Sequence, residues 1–187
     1  YYVVLDGSGS MREQRCSGGV NKSQASKAAL RKFADTVPAD ANLGLLAFDY
    51  SGVSERSPLG MKNRKTFFAS LEAVRADKNT PLRSAITLGL RALERQARRQ
   101  LGYGEYHLVV VTDGEADKGQ RPDQVVDYVV DHTPIIIRTI GFCIGEEHSL
   151  NQPGRTIYKA ADNPEALGKG LQEVLAEAET FVLDRFE

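Results

Sequence analysis

Four apolar runs, at residues 1–5, 42–48, 106–112 and 135–140, alternate with stretches of helical periodicity, and this alternation limits the chain to a narrow set of folds. Runs that are apolar at nearly every position, not at every second one, belong to strands buried on both faces. Strands alternating with helices pack as a parallel sheet covered on both sides. The spacing predicts helices over about 23–36, 64–74, 81–100 and 122–131, with Ala25, Ala29 and Phe33 on the core face of the first. Residues 53–59 alternate poorly and include Pro58, which suits a short edge strand. Residues 156–160 read as a last short strand. Pro164 then opens a terminal helix with Leu167, Leu171, Leu175, Ala178 and Val182 along one apolar face. The predicted class is α/β: a doubly wound, mostly parallel central sheet with one short antiparallel edge strand and helices on both faces. At 187 residues and 41% hydrophobic content, the chain suits one domain with one sizeable core over 1–187, and its start inside a strand without methionine suggests a piece of a longer protein.

The first run ends in Asp6-Gly7-Ser8-Gly9-Ser10. Side chains alternate in extended chain, so Asp6, Ser8 and Ser10 can face one way while the glycines let the turn close around a small ion. Hard oxygen donors of this kind suit magnesium, manganese or calcium. Taken alone the pentapeptide is equally an ordinary turn, because Ser, Gly and Asp dominate turns. The third run ends similarly, in Thr112-Asp113-Gly114. Loops at the C-terminal ends of parallel strands gather on one edge of the sheet, so Asp6 and Asp113 are predicted to meet. Asn79-Thr80-Pro81-Leu82 reads as a helix start with Pro81 as first helical residue and Thr80 as cap, and a helix beginning on the same edge also brings the Thr80 hydroxyl to the crevice.

Asp-x-Ser-x-Ser, a distant Thr and a distant Asp, in that order, resemble the von Willebrand factor type A (vWA) domain with its metal-ion-dependent adhesion site. The resemblance runs through the strands at 43–48 and 109–114 and the segment Arg138-Thr139-Ile140-Gly141 closing the fifth strand. It implies a Rossmann-like fold and a metal set of Asp6, Ser8, Ser10, Thr80 and Asp113. It further implies Mg2+ or Mn2+, with Ca2+ as another occupant, and a partner protein whose Asp or Glu carboxylate completes the coordination. In this family Asp113 and Thr80 would trade direct for water-mediated contact as the domain switches state. Lys78-Asn79 stands where the family often has a glycine pair, which stiffens the loop and puts a cation near the ion.

With only two carboxylates in the set, a bound divalent ion would remain electrophilic. Hydrolysis at such an ion needs a nucleophile or general base beside it. His107 falls on the opposite edge, His132 ends a helix, and His148 belongs to a rim loop read as solvated, so the chain is expected not to be an enzyme. A metal-dependent hydrolase or phosphatase is the alternative, although Ser8 stands where a phosphohydrolase would carry a second carboxylate. An adaptor in an intracellular ATPase or chelatase assembly is another. A net charge of −1 argues against a dedicated nucleic-acid binder, and Arg91, Arg95, Arg98 and Arg99 read as a solvated helix face. No apolar run is long enough to span a bilayer. Cys16 and Cys143 both fall in loops on the metal edge. A disulfide between them favours a periplasmic or extracellular setting, and two free thiols a cytoplasmic one.

Overall fold

A computed structural model of the chain describes residues 1–176. Its order is β1 (Tyr2–Asp6), a 3-10 turn (Gly9–Arg12), α1 (Lys22–Thr36), β2 (Leu43–Asp49), β3 (Gly52–Gly60), α2 (Arg64–Ala73), α3 (Leu82–Arg99), β4 (Tyr106–Thr112), α4 (Asp123–His132), β5 (Ile135–Phe142), β6 (Ile157–Ala161) and α5 (Pro164–Ala176). The six strands lie in the order β3-β2-β1-β4-β5-β6, parallel except for the antiparallel β2–β3 pair. The predicted class is the observed one.

The central strands show why their sequences are apolar throughout. Val3, Leu5, Val109 and Val111 pack with Leu30 and Phe33 of α1 and Leu167 and Leu171 of α5 on one face of the sheet. Tyr2, Val4, Leu108 and Val110, their neighbours in the chain, pack with Ile86, Leu90 and Leu93 of α3 and Val126 and Val129 of α4 on the other. Each aliphatic side chain so buried contributes about 1.5–3 kcal/mol, so the sheet is held from both sides. Gly89 lets α3 come close enough for this, since a Cβ there would stand 2.6 Å from Leu108.

Two expectations are corrected. The edge strand β3 is nine residues long, not short. Pro58 falls inside the register shift between the Leu43–Gly60 and Leu45–Ser57 pairs, where its missing N–H breaks no regular ladder. Helix α3 begins at Leu82 with Pro81 in the cap position and no side-chain cap, so Thr80 is not the cap. Its backbone is held elsewhere: its N–H donates to the Asp117 carboxylate at 3.0 Å and its carbonyl accepts from the Asp117 N–H at 3.0 Å. Finally, Leu167 and Leu171 are buried and Leu175 packs beside them, but Ala178 and Val182 lie outside the described residues.

Candidate metal centre

β1 and β4 are adjacent and parallel, with Leu5 opposite Val111, so Asp6 and Thr112 emerge side by side at the C-terminal edge. After Asp6 the chain turns sharply against β2: the Gly7 N–H donates to the Phe48 carbonyl at 2.8 Å, and a Cβ on Gly7 would lie 2.8 Å from that same oxygen. No other residue fits there. The turn is also sewn to the segment before α3, because Gly9 N–H donates to the Lys78 carbonyl at 3.0 Å and Asp77 N–H to the Gly7 carbonyl at 2.8 Å. Those bonds bring Thr80 to the site loop. The Ser10 and Thr80 hydroxyl oxygens each lie 3.8 Å from the point where a Cβ on Gly114 would stand.

The polar groups form one network. Asp6 is 1% exposed; one of its oxygens accepts the Ser8 N–H at 2.7 Å and the other the Thr112 hydroxyl at 2.6 Å. The Ser10 hydroxyl donates to Asp113 Oδ1 at 2.8 Å. Because Ser10 has only that proton to give, the 3.0 Å contact between the two serine hydroxyls must run from Ser8 to Ser10. Asp113 Oδ2 takes the ammonium of Lys22 at 2.8 Å, and the same ammonium reaches Glu13 at 3.0 Å. Burial first, and then the nearby Asp113 charge, push the Asp6 carboxyl up to about 6, against the hydrogen bonds from Thr112 and Ser8. Burial alone would lower the Lys22 ammonium, but its bonds to Asp113 and Glu13 carry it above the usual lysine range.

All five predicted residues thus lie around one crevice, four of them in one hydrogen-bonded chain and Thr80 beside it. Two participants escaped the sequence reading. Thr112 was legible as the residue before the second aspartate, in a position to point back at Asp6. Lys22 could have been suspected from its place at the first position of α1, where a cation opposes the helix dipole. Lys78, the predicted cation near the site, instead sets its ammonium 5.0 Å from the centre of the Tyr50 ring. Among the described residues no group of three or more His, Cys, Asp or Glu gathers as a metal cluster. The donor set is two carboxylates and three hydroxyls, hard oxygens of the kind that magnesium and manganese accept while keeping some of their waters.

The histidines divide as expected by edge, with one correction. His107, at the far end of β4, stacks on Tyr1 and meets Arg138 and Glu105. His132 stacks on Tyr128. His148 is buried, not solvated: Nδ1 accepts the Leu150 N–H at 3.0 Å, so Nε2 carries the proton and donates to the Gly114 carbonyl at 3.0 Å. The loop it belongs to is thereby tied to the site loop, and Ser149 N–H adds a bond to Glu115 at 2.9 Å. Cys16 and Cys143 are joined by a disulfide, with Cα atoms 6.2 Å apart.

A doubly wound sheet with an antiparallel edge strand and an Asp-x-Ser-x-Ser loop at its C-terminal edge defines a Rossmann-like α/β domain. The family model described as von Willebrand factor type A domain matches residues 1–115, and the chain belongs to that family. No curated protein sequence matches. The fold is similar to that of the conserved hypothetical protein BatB from Bacteroides thetaiotaomicron, at 16% identity and TM-score 0.71, over 94% of this chain and 98% of that one. It is also similar to a von Willebrand factor type A protein from Catenulispora acidiphila, at 16% identity and TM-score 0.72, over 95% of this chain and 42% of that one. A third likeness is to the PilB minor pilin from Streptococcus sanguinis, at 14% identity and TM-score 0.69, over 94% and 60%. At these identities the likeness is one of fold.

Proposed function

We propose that this domain is a protein-binding module, for adhesion or as an adaptor, and that Asp6, Ser8, Ser10, Thr80 and Asp113 hold a divalent cation, Mg2+ or Mn2+ and less favourably Ca2+. The observation that carries this reading is the meeting of two carboxylates, 1% and 3% exposed, at the ends of adjacent strands, with Asp6 pushed up to about 6. Lys22 offsets only one of these two buried anions, and the other is costly without a further cation. Bound there, the ion would supply an electrophilic position for an outside carboxylate, and an Asp or Glu of a partner protein is the ligand that fits. The chain's own contribution is to direct the Ser10 proton to Asp113 and the Ser8 proton to Ser10, which leaves the Ser8 lone pairs free for an ion. Membership of the vWA family supports the reading.

Catalysis is not part of this reading. His148, the histidine nearest the site, has both ring nitrogens committed to backbone groups. Grooves on the surface, one between α1 and α5 and one around Tyr1, Pro38 and Tyr106, are lined by neither Asp6 nor Asp113. The Cys16–Cys143 disulfide supports a periplasmic or extracellular setting, since such bonds persist in oxidising compartments.

The test is a melting series in chelator and in rising Mn2+. At about one hundred times the dissociation constant, the ion should add roughly 2.7 kcal/mol to the stability of the wild type. Asp6→Ala should fold and lose the response. An unchanged wild-type melting temperature up to millimolar Mn2+ would overturn the reading. Turnover of phosphate esters or peptides that vanishes in Asp113→Ala would replace it with the hydrolase alternative.

A further inference from the structure

Lys22 is a lysine in an improbable place. It is 1% exposed, it opens α1 where the helix dipole disfavours a cation, and its ammonium rests on a carboxylate that the proposed cation would also want. The helix start itself does not need it. Asn21 caps α1 with its side chain on the Gln24 N–H at 2.8 Å, and Gln24 answers on the Asn21 N–H at 3.2 Å, so the capping box is complete without Lys22. Burying an ammonium is costly, and a leucine or methionine at that position would pack into the same space at less cost. The lysine's geometry is directed at Asp113, whose two oxygens it and Ser10 take up between them, with one bond each.

The charge count shows what this does. Asp6 and Asp113 bring two negative charges into the buried site and Lys22 brings one positive, so the net is −1. Glu13 also bonds the ammonium, at 3.0 Å, but from the solvent side with its side chain 58% exposed, so it stands outside the buried count. A divalent ion added to a net −1 site leaves +1. A partner carboxylate then brings the sum to zero. With a neutral residue in place of Lys22, the ion alone would bring the site to zero and a partner carboxylate would overshoot to −1.

We propose that Lys22 sets the division of binding energy between ion and partner: it holds down affinity for the bare divalent cation and makes the loaded site demand an external carboxylate. Cation and carboxylate then bind as a pair, each raising the affinity for the other by the same factor. The inference rests on the metal reading above and deepens it, by assigning to this one side chain the coupling between the two ligands.

The experiment titrates Mn2+ into the whole domain by calorimetry, with and without saturating acetate as the probe carboxylate, for wild type, Lys22→Met, Lys22→Gln and the charge-keeping Lys22→Arg. In the wild type, Mn2+ should bind weakly alone and roughly ten-fold more tightly with acetate, a typical size for such coupling. Both neutral variants should bind Mn2+ alone about ten-fold more tightly than wild type and respond little to acetate, while Lys22→Arg keeps the wild-type pattern. A neutral variant that folds only in Mn2+ would also support the proposal, because the ion then replaces the ammonium. Neutral variants that bind Mn2+ no more tightly than wild type, or that fail to fold even in saturating Mn2+, would overturn it and make Lys22 a structural rivet. If no protein in the series binds Mn2+, the metal reading itself falls, and this inference with it.

Discussion

Asp6 and Asp49 occupy almost the same position in the fold and are put to opposite uses. Each ends a parallel strand at the same edge, β1 and β2 being neighbours with Asp6 opposite Phe48, and each is almost fully buried. Asp49 is saturated: the Ser51 N–H at 2.8 Å and the Arg56 guanidinium at 2.6 Å reach one oxygen, and the Arg75 N–H at 2.9 Å the other. Asp6 receives one backbone N–H and one hydroxyl, both neutral, and it faces a second carboxylate. A buried carboxylate given a cation of its own holds loops together. One given only neutral donors and an anionic neighbour is left with negative potential for something else to satisfy.

The largest expected effect breaks this pair apart. In chelator, Asp49→Ala removes the partner of Arg56 and of two backbone N–H groups, and should cost roughly 3–5 kcal/mol by urea denaturation. Asp6→Ala under the same conditions relieves repulsion with Asp113 and should cost far less. Equal losses would mean that Asp6 is as structural as Asp49, and the contrast drawn above would be wrong.

A smaller effect comes from pH. The Asp6 carboxyl is raised in the folded protein from an ordinary value of 3.8 to about 6. The folded state therefore holds the extra proton between those values, and stability falls as pH rises through them. The contribution is fully present below about pH 4 and lost above about pH 6. Two pH units at 1.36 kcal/mol each make it about 3 kcal/mol at most. Asp6→Asn carries no such term. Unfolding free energies in chelator at pH 4 and pH 7 should thus show the variant gaining on wild type as pH rises. Parallel profiles would show that Asp6 is neutralised by a partner.

The contrast between the two aspartates also marks what the sequence could convey. Continuous apolar runs determine strand burial locally, so the order of elements and the class of sheet were readable, as was the meeting of Asp6 with Asp113, which follows from parallel strands sharing an edge. The partners of each carboxylate were not readable. Arg56 reaches Asp49 across a hairpin, and Lys22 reaches Asp113 across 91 positions of chain. Such pairings depend on side-chain direction, along an edge strand for Arg56 and at a helix start for Lys22, which no periodicity encodes. The length of β3 was missed for a related reason: Pro58 signals a break in hydrogen bonding, and the chain absorbs that break in a register shift without ending the strand.

The smallest effect tests how the site loop is supported from behind, where Asp49 and Asp6 share no partner. His148 ties its loop to Gly114 through Nε2 and stacks on Tyr158 with ring centres 5.6 Å apart. Its Nδ1 also accepts the Leu150 N–H, so His148→Ala should cost two hydrogen bonds and one ring contact, roughly 2 kcal/mol in total. The loss should be local. Gly114 and Glu115 follow Asp113 directly, so their amide protons should exchange faster with solvent in the variant while those of Val110 and Val111, inside β4, keep wild-type protection. If exchange at Gly114 and Glu115 is unchanged, the loop is held by Thr112 and the backbone alone. If instead β4 itself loses protection, the histidine braces the sheet and not merely the edge on which Asp113 sits.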